Sequence, residues 1–199
     1  MQAVILAAGM GTRLKDLTSD ATKCMVKVNG VTLIERMLRI LDKKQLNQIV
    51  IVVGYQGQKL IQYVRSLLIQ TPIAFISNPI YDKTNNIYSL YLAREELLKD
   101  DTLLLESDLI FEEAVLDRLL QHPYHSLALV AKFESWMDGT VVELDEQDRI
   151  LSLLSKKEFR FEDADRYYKT VNLYKFSRSF ATTRYVPFLE AYCQALGNN

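Results

Sequence analysis

Ala3–Leu6 is a short apolar run that ends in Ala7-Ala8-Gly9-Met10-Gly11-Thr12-Arg13-Leu14. A continuous apolar stretch closed by glycines reads as a parallel strand buried on both faces. Such a strand leaves few folds open, because parallel neighbours need long crossovers, usually helical. The chain supplies them. Val31–Leu41 carries apolar residues at helical spacing, with Thr32 and Glu35 near a capping arrangement. Ile49–Val53 is a β-branched run ending at Gly54, Lys59–Ile69 a second amphipathic helix and Ile73–Ile76 a third strand. Asn85–Leu98 reads as one helix with Asn85 or Asn86 as N-cap. Leu103–Leu105 is a fourth strand, running into Glu106-Ser107-Asp108.

This alternation predicts an α/β fold with right-handed crossovers and a ligand site beyond the carboxyl ends of the strands. Gly9, Gly54, Asn78 and Asp108 each follow a strand, so four loops are expected at one sheet edge. After Asp108 the pattern changes. Ser126–Phe133, Thr140–Leu144, Ile150–Leu154 and Thr170–Phe176 read as strands of an antiparallel or mixed extension covering the site, with a tight turn at Asp145–Asp148. Ser177–Leu196 reads as a closing helix broken near Pro187. No internal repeat or linker divides the chain, so residues 1–199 are expected to form one domain.

The glycine loop carries the chemistry. Glycines adopt positive φ and let successive N–H groups approach one anion. Arg13 offers a fork of donors to phosphate oxygens, and Lys23 brings a second positive charge. Small Ala7 and Ala8 are expected to leave room for a base or ribose. A Walker loop needs lysine and a hydroxyl straight after its last glycine, where Thr12-Arg13 stand. A dinucleotide fingerprint needs a third glycine where Leu14 stands. The plain alternative is a tight strand-to-helix turn with no ligand.

Formal net charge is -1, so no basic excess points to nucleic acid as a partner. No apolar run reaches the roughly 20 residues of a membrane span, and the apolar N-terminus lacks the basic start of a signal peptide. Cys24 and Cys193 form neither a metal spacing nor a disulfide framework, so a reduced, cytoplasmic setting is expected.

The run AVILAAGMGTRL, followed by Thr22-Lys23, resembles the signature of nucleotidyltransferases of the sugar-phosphate type. Thr22 stands where that family usually has proline. VKVNGVTLIERML, IVIVVGYQGQ and NPIYDKTNNIYSLYLAREELL are similar in order and spacing to bacterial CTP:phosphocholine and 2-aminoethylphosphonate cytidylyltransferases. The resemblance is close through Ile110 and thin afterwards. It implies a Rossmann-like three-layer sandwich with a mostly parallel mixed sheet, of the nucleotide-diphospho-sugar transferase type. It also implies transfer of a nucleotidyl group, CMP from CTP, to a small phosphorylated or phosphonate amino-alcohol with release of pyrophosphate.

By that resemblance Leu6, Ala7, Ala8, Gly9, Gly11, Thr12 and Arg13 hold the triphosphate, and Lys23 offsets charge near the α-phosphate. Asp108 matches the metal-binding aspartate, so Mg²⁺ is the expected cofactor. Segments Gly54-Tyr55-Gln56 and Asn85–Ser89 lie near the base, with Asn86 and Ser89 able to read a pyrimidine edge; helix capping is the alternative for the asparagines. Glu106 can line the ribose or a substrate ammonium. The family's second metal-binding aspartate has no match after Lys175, and the ending Ala195–Asn199 reads as a cut end with a further domain beyond it.

For the acceptor, Trp136 and Tyr174 are candidates for an aromatic cage. Lys132, Lys169 and Lys175 are candidates for a phosphate or phosphonate, Asp138 and Glu134 for a primary amine, and Asn172 lies among them. Core packing is the alternative for each ring. No catalytic role falls to His122 or His125. Competing readings are a sugar-1-phosphate nucleotidyltransferase using UTP, dTTP or GTP, a catalytically silent nucleotide-binding module, and a purely structural α/β domain.

Overall fold

The computed structural model describes residues 1–11, 21–155 and 157–195. Its centre is strand β1 (Gln2–Ala7), buried at every position. β4 (Ile49–Val53) and β6 (Thr102–Glu106) pair with it in parallel on either side, and β5 (Ile73–Ser77) adds in parallel beyond β4. The antiparallel strand β10 (Tyr167–Phe176) then continues the sheet from β6. β8 (Val141–Leu144) and β9 (Ile150–Leu154) follow, and β7 (Leu127–Lys132) pairs with β10 outside that order. The result is one eight-stranded mixed sheet. The expected mostly parallel half and antiparallel extension are both present.

Strand periodicity divides the core. Ala3, Ile5, Ile49, Ile51, Leu103 and Leu105 point to one face, where they meet α1 (Leu33–Asp42), α2 (Gly57–Ser66) and α5 (Glu113–Gln121). Their neighbours Val4, Leu6, Val50, Val52 and Leu104 point to the other face. There they meet α3 (Asn86–Leu92), α4 (Arg94–Leu97) and α7 (Val186–Ala195). This is the three-layer arrangement implied by the resemblance. Cys24 packs in the first core and Cys193 in the second, each as a free thiol. No helix among the described residues is long and apolar enough to cross a membrane.

Some boundaries differ from the sequence expectation. The first predicted helix begins two residues late, because Val31–Thr32 forms strand β3 of a small hairpin with β2 (Lys27–Val28). Asn29 at φ 51° and Gly30 at φ 78° turn it, as an Asn-Gly pair in a two-residue hairpin does. Thr32 then caps α1 by accepting from the Glu35 N–H at 3.1 Å. Asn85–Leu98 is two helices, broken at Ala93. Asn85 caps the first, accepting from the Ile87 N–H at 3.0 Å. The closing helix widens over Ala181–Tyr185 into a π turn between α6 (Arg178–Phe180) and α7. Pro187, which has no N–H to donate to the preceding turn, lies just beyond it.

The loops meet where the parallel strands end. The Tyr55 N–H donates to the Ala8 carbonyl at 3.0 Å, Ser107 N–H to Leu6 at 3.2 Å, and Asn78 N–H to Val53 at 2.8 Å. These bonds carry each ladder past its strand and bind neighbouring loops together. Gly54 is essential to this closeness. A Cβ there would lie 2.7 Å from the Ala8 carbonyl oxygen, 2.7 Å from Tyr81 Cβ and 2.9 Å from Ala8 Cβ. Gly54→Ala is expected to cost about 3 kcal/mol, at the upper end of overpacking effects. Urea denaturation would read this as a lower midpoint at unchanged slope; an unchanged midpoint would mean that the two loops part without cost.

Candidate active site

Lys23 reaches the sheet edge because its neighbour is anchored. Cys24, fully buried, pins the short 3-10 turn Lys23–Met25 into the core, and Thr22 beside it is buried as well. Thr22 stands at φ −68°, ψ 155°, the backbone geometry that the family's proline would impose. Its hydroxyl lies 2.9 Å from the Cys24 thiol, and burial pushes that thiol up to about 11. Between these two fixed residues and Met25, the Lys23 side chain faces outward.

Its ammonium donates to Asp108 Oδ2 at 2.8 Å. Asp108 follows the end of β6, and Glu106 is the last residue of that strand. Asn86, at the start of α3, donates to Glu106 Oε1 at 2.6 Å. Burial holds the Glu106 carboxyl above its ordinary range, and the Asp108 charge adds to this, while Lys23 and Asn86 act against it. Two carboxylates, an ammonium and an amide therefore share one sheet edge. Beside them opens a cavity of about 500 Å³, lined in part by Leu6, Asn86, Glu106, Tyr174, Phe176 and Tyr185.

A hard cation takes oxygen donors of the kind Asp108 offers, and among the described residues no group of three or more His, Cys, Asp or Glu stands together. Mg²⁺ commonly takes one or two carboxylates and completes its shell with water and substrate phosphate oxygens. The Lys23 ammonium already occupies Asp108 as a positive group.

The other expected site residues divide. Gly11 holds the positive φ, 66°, that the sequence reading expects of a loop glycine, whereas Gly9 does not and has open space where a Cβ would stand. Thr12 and Arg13 lie outside the described residues. Ala7 and Ala8 are buried, and the small side chain of Ala8 makes room for Gly54 and Tyr81 rather than for a ligand. Ser89 is buried behind the edge, where its hydroxyl accepts from Asn78 Nδ2 at 3.1 Å. It braces the loop after β5 and does not face a ligand.

On the acceptor side, Tyr174 lines the cavity. Asn172 sits in a bulge of β10 at φ 59°, and its Oδ1 lies 3.4 Å from the Tyr174 hydroxyl. Trp136 is 75% exposed, bonded through Nε1 to Glu134, and lies outside the cavity lining. Lys132 donates to the Asp165 carbonyl and stands over the Tyr168 ring at 4.5 Å. Asp138 is on an exposed loop, its charge felt by Lys169.

Lys175 is turned away altogether. It is buried and donates to the carbonyls of Leu119 at 3.2 Å and His122 at 3.1 Å, closing the C-terminal end of α5. β10 runs antiparallel to β6, so Lys175 pairs with Leu103, near the start of β6 and far from the site edge. Strand alternation puts it on the opposite face from Tyr174. Phe180, Tyr185 and Ser126 line the cavity without having been singled out. The aromatic spacing across the closing helix was the one signal for the first two.

Known proteins are similar to this chain in sequence and fold. The chain is 32% identical over 191 residues to the CMP-5'-(3-aminopropyl)phosphonate synthase of Streptomyces rubellomurinus, covering 96% of this chain and 30% of that protein. It is 30% identical over 152 residues to the 2-aminoethylphosphonate cytidylyltransferase of Lancefieldella rimae, covering 76% of this chain and 59% of that one. It thus spans less than two thirds of either relative. The structure of the CTP:phosphocholine cytidylyltransferase from Streptococcus pneumoniae superimposes with a TM-score of 0.76 at 25% identity, covering 99% of this chain and 78% of that chain. Residues 3–160 match the model of the MobA-like NTP transferase domain, and the chain belongs to that family.

Proposed function

We propose that the protein transfers CMP from CTP to the phosphate or phosphonate oxygen of a small amino-alkyl acceptor. The observation that carries this reading is the Lys23–Asp108 pair standing beside Glu106 and Asn86, at the mouth of the cavity. The activities of these relatives support cytidylyl transfer to phosphonates and phosphocholine.

The chemistry needs no protein nucleophile. An acceptor oxygen attacks the α-phosphorus in line, a new P–O bond forms, the bond to the bridging oxygen breaks, and pyrophosphate leaves with that electron pair. Catalysis then consists of positioning and charge neutralisation. Asp108, with phosphate oxygens of the nucleotide, would hold Mg²⁺. Bound there, the ion supplies positive charge at the α-phosphate. Lys23 turns from Asp108 to the phosphates as the nucleotide enters, so its ammonium offsets negative charge on the leaving group. Arg13 and the loop amides serve the same pyrophosphate. The cavity, with mostly apolar walls, takes the alkyl end of the acceptor.

Pyrophosphate release in the presence of Mg²⁺ tests this, with CTP, UTP, dTTP, GTP and ATP each set against phosphocholine, 2-aminoethylphosphonate and glucose-1-phosphate. Release with CTP and only the amino-alkyl acceptors is expected. Release with the sugar phosphate and another triphosphate would replace this reading by sugar-1-phosphate transfer.

A further inference from the structure

Among the described residues, one charged side chain lines the cavity, that of Glu106. Transfer of the nucleotidyl group leaves this carboxylate without a task, because Asp108 and Lys23 serve the phosphates. Glu106 is half-buried at the end of β6, and among the described residues it accepts one hydrogen bond, from Asn86 Nδ2 on its Oε1. Since a carboxylate accepts only, Asn86 must present its amino group to it, which leaves the Asn86 amide oxygen as an acceptor. Tyr174 lines the same cavity. The remaining walls are largely apolar, among them Ile87, Leu90, Leu104 and Phe180.

We infer that this cavity receives the cationic end of the acceptor and that Glu106, held by Asn86, selects a primary ammonium on a short alkyl chain over a trimethylated one. The inference rests on the amino-alkyl acceptor proposed above and goes further by naming the head group and the residue that reads it. Glu106 thereby leaves the nucleotide side and joins the acceptor side of the site.

Counting donors and acceptors carries the argument. A primary ammonium brings three N–H donors and no acceptor. Among its lining side chains the cavity has the Glu106 carboxylate and two further groups able to accept, the Asn86 amide and the Tyr174 phenol, and it surrounds the alkyl chain with apolar side chains. A trimethylammonium has no donor to give these groups. It favours ring faces instead. Here the rings pack at tilted angles against one another, with Phe176 centred 5.9 Å from Tyr174, 5.4 Å from Phe180 and 4.8 Å from Tyr185. Trp136, the ring best suited to a cage, is outside the cavity. Leaving a half-buried carboxylate without its hydrogen bond costs about tenfold to a hundredfold in binding.

Phosphoethanolamine and phosphocholine differ only in the three N-methyl groups, so they isolate the head group. Both would be measured on the wild type, Glu106→Gln and Glu106→Asp, by steady-state transfer from CTP and by equilibrium binding with CTP present. Wild type should favour phosphoethanolamine by about tenfold or more in kcat/KM. Glu106→Gln should raise KM for phosphoethanolamine by about 10–100-fold and that for phosphocholine far less, so the preference collapses. Glu106→Asp, which keeps the charge, should retain it. Equal loss for both acceptors would show a merely structural carboxylate and overturn the inference. A wild-type preference for phosphocholine would overturn it too, while leaving transfer to amino-alkyl acceptors standing. Selective binding of the primary amine without pyrophosphate release would support the subsite and overturn the transfer reading.

Discussion

Lys23→Ala is expected to slow the transfer step by about 10²–10³-fold while the protein stays folded, on the scale of losing one preorganised electrostatic donor. The reasoning separates the residue's two relations. Toward the fold, Lys23 makes a partly exposed ion pair, with side chains 24% and 41% accessible, and such pairs contribute little to stability. Toward a triphosphate, its backbone is fixed in advance by the buried Cys24 and Thr22, so only the side chain has to turn from Asp108 to the phosphates. Single-turnover rates with saturating CTP and acceptor would measure the chemical step directly. A rate within a few-fold of wild type would remove Lys23 from that step. A large drop in thermal midpoint would shift the explanation to folding.

Asp108→Ala should have the larger effect on turnover, about 10³–10⁴-fold, because charge neutralisation by a divalent ion is worth several kcal/mol in the barrier. The carboxylate is exposed, so the fold should survive its loss. The decisive readout is the dependence of rate on Mg²⁺ concentration. With Asp108 gone, the curve should flatten or shift to far higher concentration, while Lys23 remains available to the phosphates. An unchanged Mg²⁺ titration would take Asp108 out of the metal site. The two substitutions are also expected to be strongly non-additive, since each removes the other's partner in the free protein.

Much of this site was legible because parallel strands announce themselves as continuous apolar runs, and their carboxyl ends locate the loops. Gly54, Asn78 and Asp108 could be assigned to one edge on that basis, and the bonds from Tyr55 to Ala8, just past β1, and from Ser107 to Leu6, within it, join those loops as expected. Thr22 was flagged as a departure from proline, and its backbone keeps the proline conformation. The antiparallel half was less legible. Whether Lys175 faces a ligand or a helix depends on the direction and register of β10 against β6, which no local pattern encodes. Trp136 was attractive by residue type alone, but its loop holds it in solvent. Ser89 shows a third limit: a short polar side chain on an amphipathic helix serves a ligand or a buried asparagine equally well, and only the packing decides.

Strand β10 also has a meaning for anyone reshaping the acceptor pocket. Consecutive residues of it belong to different structures, Tyr174 to the cavity wall and Lys175 to the end of α5 on the far side of the sheet. Libraries that vary adjacent positions along this strand would change selectivity and helix docking at once, and stability losses would hide the useful variants. Steps of two residues, beginning at Tyr174 and Phe176, would sample the pocket alone.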